Sequence, residues 1–323
     1  MLFTGHRCMA VARFLEKGAD MAARKKAGVR AHYTKRDYQA YLYLLPWILG
    51  FVILQLYPFI SSFVYSFNDY TIGAKLDFVG MANYVRLFTK DRDFWNSLKV
   101  TILFALYTVP AKVVLALLVA MFLNRNIRGI NLVRTLYYIP SLFGGSVAIA
   151  LLWRLMFMDN GVFNSLLARL HLGPVSFLGD TRWALPTICL LEVWQFGSSM
   201  VMLLAALKNV PKELYEAAEI DGGGKLMKFW HITLPQISPI LFFALLNQNI
   251  QQLQNFTSPY TITGGGPLKS TNVLGILLYK EGFSYFKMGY ASAISWIEFI
   301  VILIFTLVLF GTSKFWVHYA DET

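Results

Sequence analysis

Residues 211–235 read Pro211-Lys-Glu-Leu-Tyr-Glu-Ala-Ala-Glu-Ile-Asp221-Gly-Gly-Gly-Lys225-Leu-Met-Lys-Phe-Trp-His-Ile-Thr-Leu-Pro235. Pro211 suits a first helical turn, where its missing N–H would have no partner anyway. Lys212–Ile220 then reads as a short helix, with Glu213, Glu216 and Glu219 three residues apart on part of one face. Ala217 and Ala218 are small enough to admit another surface. Gly222, Gly223 and Gly224 permit a sharp turn that residues with a Cβ resist. A second short helix over Lys225–Thr233 presents Phe229 and Trp230, and Pro235 opens the next apolar stretch. Two charged helices on a glycine hinge have little reason to interrupt a hydrophobic chain unless they plug into a separate soluble protein.

The surroundings are indeed hydrophobic. Of the 323 residues 56% are apolar and 15% charged, against about 25% charged in a soluble chain. The apolar residues gather in runs of about 20, the length that crosses a bilayer. Six spans are expected, at about 38–67, 97–123, 131–157, 183–208, 236–257 and 290–316, so the chain reads as an all-α polytopic membrane protein. Pro46, Pro58, Pro110 and Pro140 fall inside spans and predict kinks, tolerable where neighbouring helices satisfy the freed backbone groups. A basic tail occupies 1–37 and a short polar end 318–323. The tail's apolar stretch is too short for a signal peptide. The net charge of +11 follows the excess of Lys and Arg in cytoplasmic segments rather than nucleic-acid binding. With the N-terminus inside, the inner segments carry 17 Lys and Arg against nine in the outer loops. Both termini and residues 209–235 are then cytoplasmic. Cys8 and Cys189 lie far apart, and the five histidines have no ligand-like spacing, so neither a disulfide framework nor a metal site is expected.

The triplet Glu216-Ala217-Ala218, the hinge Asp221-Gly222-Gly223 and the ending Ile232-Thr233-Leu234-Pro235 resemble the EAA loop of ABC importer permeases, which docks on the ATPase subunit. The departure is Gly223, where that family usually has Ala, and it is expected to loosen the hinge. Phe78-Val-Gly-Met-Ala-Asn-Tyr84, Thr263-Gly-Gly-Gly-Pro267 with Thr271, Tyr279 and Phe283, and Gly289-Tyr-Ala-Ser-Ala293 resemble loops of the sugar-importer branch. The resemblance runs from about residue 40 to the end.

It implies a type I importer permease fold in a bacterial cytoplasmic membrane, with cytoplasmic coupling helices. It also implies a second homologous permease, a cytoplasmic ABC ATPase dimer and an external solute-binding protein. ATP and Mg would belong to the ATPase, with no cofactor on this chain: the Gly-Lys of Gly224-Lys225 is followed by Leu226, so no phosphate-binding Gly-x4-Gly-Lys-Ser/Thr is present. Transport would proceed by alternating access, a two-state equilibrium biased by ligands. The closest likeness is to permeases for complex or acidic oligosaccharides such as alginate.

Polar side chains inside spans tend to face the bundle interior. Asn247, Gln251 and Gln254 form one stripe of span five; Gln248, Gln252 and Asn255 form the adjoining one. They either line a path for a hydroxyl-rich sugar or join helices through amide hydrogen bonds. Trp194 and Tyr260 are the aromatic candidates beside them. Lys112 and Glu192 are the deepest charges, read either as a buried pair or with Lys112 as counter-charge for an acidic sugar. The rival class is an ion-coupled secondary transporter, which would need coupling carboxylates in the spans (only Glu192 and Glu298 qualify) and no docking loop. A membrane-embedded enzyme ranks third for want of a catalytic constellation.

Overall fold

The computed structural model describes residues 35–318 except 74, 126 and 127, with side chains described from residue 42 onward. Most of the basic tail, Cys8 and the last five residues lie outside the described residues. Two compact units are distinguished, one ending at Phe59 and the other running from Ile60.

The first unit holds α1 (Lys35–Phe51), a wide π turn over Val52–Leu56, and the start of α2 (Tyr57–Ser66). Its large apolar side chains from Leu42 to Phe59 are exposed, as suits a helix whose solvent is hydrocarbon. The π turn has a local cause. Tyr57 N–H donates to Val52 O, five residues back, and the next residue is Pro58. Proline has no N–H and its ring presses on the carbonyl four residues earlier; widening the preceding turn relieves both problems.

In the second unit a two-stranded antiparallel hairpin, β1 (Asn68–Asp69) with β2 (Asp77–Phe78), leads into α3 (Ala82–Thr89). The centre is α4 (Arg92–Leu123), capped by Asp91, whose side chain accepts from the N–H groups of Asp93 and Phe94. It stays helical through Pro110. Around it lie α5 (Ile130–Leu142), α6 (Val147–Phe157), α7 (Val162–Arg169), α8 (Thr181–Trp194) and α9 (Gly197–Asn209). Next come α10 (Lys212–Ile220), α11 (Lys225–Lys228), a second π turn (Phe229–Thr233) and α12 (Leu234–Leu253). The short α13 (Thr257–Thr263) and α14 (Leu274–Tyr279) precede α15 (Met288–Ser313). Apolar clusters follow α4 along its length. One joins Val100 and Phe104 to Ile188, Leu191, Ile262 and Ile276; another joins Ala116, Ala120 and Leu123 to Met200, Leu203 and Ile237.

Among the described residues four helices, Leu42–Ser66, Arg92–Leu123, Lys225–Leu253 and Met288–Ser313, are long and apolar enough to cross a membrane, and up to six spans result if two bent pairs each count as one. Those pairs are where the spans bend most sharply. The stretch 131–157 breaks at Phe143–Ser146 and turns by 96°, because Pro140 is followed by Gly144 and by Gly145 at φ +71°. The stretch 183–208 bends by 45° at Gln195–Phe196. There Gly197 lies so close to α5 that a Cβ would come within 2.7 Å of Tyr137 O. The second coupling helix does not stop at Pro235 either. It continues through the π turn, where Leu234 N–H reaches back to Phe229 O, into α12, as one helix from Lys225 to Leu253. These two π turns each end two residues before a proline, Pro58 and Pro235; a third, over Lys280–Ser284, does not.

Candidate functional site

The hinge between α10 and α11 closes as a Schellman cap. Gly223 N–H donates to Ala218 O at 2.7 Å, Gly222 N–H to Glu219 O at 3.1 Å, and Gly222 takes φ +77°. This is the left-handed residue and paired back-bonding that satisfy the last carbonyls of a helix. Gly223, expected to loosen the hinge, instead lets it shut: a Cβ there would lie 2.7 Å from Ala218 O. Two contacts tie the prongs. Lys228 Nζ meets Glu219 Oε1 at 2.5 Å, which holds the Glu219 carboxyl below its ordinary range through that hydrogen bond and the adjoining charge. The hydroxyls of Tyr215 and Thr233 hydrogen-bond at 2.9 Å. Glu216, Ala217, Asp221 and Gly222 are exposed and Ala218 half-buried. Beside them Ile220, Leu226, Met227 and Trp230 are exposed apolar side chains, a surface that asks for a partner.

The charged and amide side chains of the spans converge on a cavity of about 290 Å³ between α4, α8 and the end of α12. Lys112, Glu192, Gln251, Gln252 and Asn255 line it. Glu192 is buried and doubly engaged: Ser258 Oγ donates to Oε1 at 2.5 Å and Gln252 Nε2 to Oε2 at 3.2 Å. Asn255 Nδ2 donates on to Gln252 Oε1 at 3.4 Å, and Ser258 N–H donates to Asn255 Oδ1. Of the two readings of Lys112 and Glu192, the direct ion pair is not seen among the described residues. The carboxylate is turned to Ser258 and Gln252. Both groups are buried and face the same cavity.

The amide stripes therefore divide. Gln248 Nε2 donates to Ser199 Oγ at 3.1 Å and joins helices, while Asn247 Nδ2 donates to Phe243 O on its own helix. Trp194 packs beside Trp153, ring centroids 5.9 Å apart, outside the cavity wall. Tyr260 is likewise outside it but stacks on Phe256, which lines it. Sequence reading missed Gln195, Ser198, Gly144, Gly145, Phe256 and Thr257 in the wall. The paired glycines inside an apolar run were the available signal, since interrupted spans mark binding sites in membrane bundles.

The motifs outside the EAA-like loop have structural work. Asn83 Nδ2 donates to Ser66 O and Asn68 O, both at 3.0 Å. Gly289 passes so close to the hairpin that a Cβ would fall 2.0 Å from Asn68 O. Thr263 and Thr271 join through their hydroxyls at 2.6 Å, and Thr271 donates to Gly266 O, so the glycine loop is pinned by side chains.

Residues 79–319 match the family described as binding-protein-dependent transport system inner membrane component. The chain is 40% identical over 308 residues to the probable ABC transporter permease protein YesP of Bacillus subtilis (strain 168), covering 94% of this chain and 98% of that one. It is 33% identical over 292 residues to the arabinooligosaccharides transport system permease protein AraP of the same organism, covering 89% and 92%. A crystal structure of a bacterial ABC transporter involved in import of the acidic polysaccharide alginate superposes with TM-score 0.74 at 25% identity, covering 87% of this chain and 96% of that one. A second crystal structure shows the bacterial alginate transporter in complex with its pentasaccharide-bound periplasmic protein, also at TM-score 0.74. The chain is thus a multi-pass membrane transport subunit that belongs to the binding-protein-dependent inner membrane permeases of ABC importers.

Proposed function

We propose that this permease carries a carbohydrate, an oligosaccharide, into the cytoplasm, driven by ATP that a partner subunit hydrolyses. One observation carries the reading: a single helix, Lys225–Leu253, holds the second coupling prong at one end and the amides of the polar cavity at the other. At 1.5 Å per residue it spans about 40 Å, so a push on the prong is felt at the cavity. An ATPase dimer, binding Mg and ATP in its own chains, grips Glu216-Ala217-Ala218 and the Asp221-Gly222-Gly223 hinge from the cytoplasm. A second permease completes the path, and a solute-binding protein delivers sugar from outside. Both termini lie in the cytoplasm, as the charge asymmetry favours. The cavity's amides, Ser198 and Thr257 supply the donors and acceptors that hydroxyl-rich rings need.

The cavity also supports an acidic substrate. Lys112 is the cationic side chain in its wall, and the carboxylate beside it is already hydrogen-bonded to Ser258 and Gln252. A uronic-acid carboxylate would complete Lys112, in keeping with the alginate importers the fold matches.

The test is reconstitution with the partner subunits and uptake of neutral and uronic-acid oligosaccharides. Glu216→Lys is expected to release the ATPase in detergent and abolish ATP-driven uptake. Lys112→Met is expected to lower uptake of acidic sugars about tenfold, the loss of one charge-assisted hydrogen bond, and to leave neutral sugars near wild type. Uptake that survives ATP depletion would overturn the importer reading. Unchanged acidic uptake by an assembled Lys112→Met complex would overturn the acidic one.

A further inference from the structure

Four aromatic rings run from the polar cavity toward the loops at the opposite end of the chain from the coupling hinge. Phe256 stands in the cavity wall. Tyr260, one turn along α13, stacks on it with centroids 4.8 Å apart and planes 21° apart. Tyr279, at the end of α14, lies 5.2 Å from Phe256 and 5.1 Å from Tyr260. Phe283 follows in the next turn, 5.5 Å from Tyr279. The far end of the row lies among the segments that connect these helices. Lys269, in the loop joining α13 to α14, bonds Asp93 in the first turn of α4, and Lys280 Nζ donates to Gly264 O.

Phe256 is partly buried against the central apolar cluster, but the rings beyond it are not placed as core filling. Phe283 is 57% exposed and Tyr260 38% exposed, while α14 between them in sequence buries Leu274, Ile276 and Leu277 completely or nearly so. The segment could have put aliphatic residues on that line and instead presents faces. Gly275 lets α14 pack closely on the inner end of this row: a Cβ there would come 3.2 Å from Phe256 Cβ. An aromatic face carries negative charge density and attracts polarised C–H groups. The C–H face of a pyranose, whose carbons bear hydroxyls, is such a group. A step of about 5 Å between rings lets one sugar unit pass from ring to ring without losing stacking, while its hydroxyls stay in water.

We infer that Phe256, Tyr260, Tyr279 and Phe283 form an outer binding track for sugar rings, which receives an oligosaccharide at Phe283 and hands its leading unit to the amides of the cavity. The inference rests on the carbohydrate reading above and extends it to a second subsite. A track of several rings favours longer chains, because a pentasaccharide covers more than one ring and a disaccharide does not.

The test uses the full complex in liposomes, with maltose-, arabinose- and alginate-derived di- and pentasaccharides as probes. Tyr260→Leu and Phe283→Leu keep volume and apolarity but remove the aromatic face. Each is expected to raise the half-saturating concentration for the pentasaccharide about fivefold, one stacking contact's worth, with less than a twofold change for the disaccharide. Tyr260→Phe is expected to behave as wild type. ATP hydrolysis stimulated by the sugar-loaded binding protein reports assembly and should stay within twofold throughout. Leucine variants that assemble and import both lengths like wild type would overturn the track and leave carbohydrate import standing. A wild-type complex that imports none of the probes would overturn the carbohydrate reading itself.

Discussion

The coupling hinge and the polar cavity are both built from polar side chains in an apolar chain, but they are held together over different distances. The hinge closes through neighbours: Gly223 to Ala218, Glu219 to Lys228 nine residues on, Tyr215 to Thr233 eighteen residues on. The cavity closes through strangers: Glu192 with Gln252 and Ser258 is 60 and 66 residues apart, and the helix-joining contact outside its wall, Ser199 with Gln248, is 49 apart. A short-range motif assembles as soon as its segment is helical, and its parts need only each other. A long-range network exists only when the bundle is correctly packed, so it reports the whole fold. The hinge should accordingly tolerate damage elsewhere, while the cavity should not.

The sharpest way to break the comparison is at Glu192. Glu192→Leu leaves the Ser258 hydroxyl and the Gln252 amide without their acceptor, with Lys112 buried nearby and no opposite charge left in the wall. Removing one side of a buried charged network costs about 3–5 kcal/mol. The variant is expected to lower the midpoint of thermal aggregation of the detergent-solubilised complex well below wild type. Glu192→Gln keeps one oxygen to accept from Gln252 and presents an NH2 to which the Ser258 hydroxyl can turn as acceptor, so it should recover part of the loss. Equal midpoints for Leu, Gln and wild type would show that the cavity is not held by this network.

At the hinge the expected effects are smaller. Gly222 sits at φ +77°, where a side chain is strained by about 1 kcal/mol, so Gly222→Ala should weaken ATPase binding about fivefold without moving the thermal midpoint. Gly223→Ala should cost at least as much. Its backbone is ordinary, but the Cβ would lie 2.7 Å from Ala218 O, the backbone oxygen that accepts the cap bond, so the cap itself must open. If the alanine at 223 weakens ATPase binding less than the alanine at 222, backbone handedness rather than crowding sets the hinge.

The same division of range decides what could be read from the sequence. Asp221-Gly-Gly-Gly-Lys225 announces a turn because glycine permits backbone conformations that other residues resist, and the cap forms where the glycines are. The six hydrophobic runs were equally legible, since bilayer thickness imposes their length. What failed to show was anything set by a partner distant in sequence. Periodicity put Gln248 and Gln252 on one stripe, yet Ser199 takes the first as helix glue and Glu192 takes the second into the cavity wall. It marked Lys112 and Glu192 as deep charges but could not see that Ser258 reaches the carboxylate from a short helix of its own. The bend at Gln195–Phe196 was invisible for a similar reason: it depends on Gly197 admitting the Tyr137 backbone, a contact across 60 positions.

The least effect belongs to the ion pair across the hinge, and its pH dependence distinguishes it from every cavity contact. Glu219 is 70% exposed and its partner Lys228 14% exposed, so water and salt screen the attraction. Its folded-state pKa is held below the ordinary 4.5 by Lys228. A depressed carboxyl contributes stability that is fully present above the unfolded value and is lost as pH falls through the folded one. From about pH 5 to pH 8 the tie is therefore constant, and ATPase affinity should not respond through this group. Below that range affinity should fall in wild type, whereas Glu219→Gln should start slightly weaker at neutral pH and lose the acid-dependent part of the fall. A Glu219→Gln profile that parallels wild type at every pH would mean that the two prongs are aligned by the Schellman cap and the Tyr215–Thr233 contact alone, with the charges merely sitting on the surface between them.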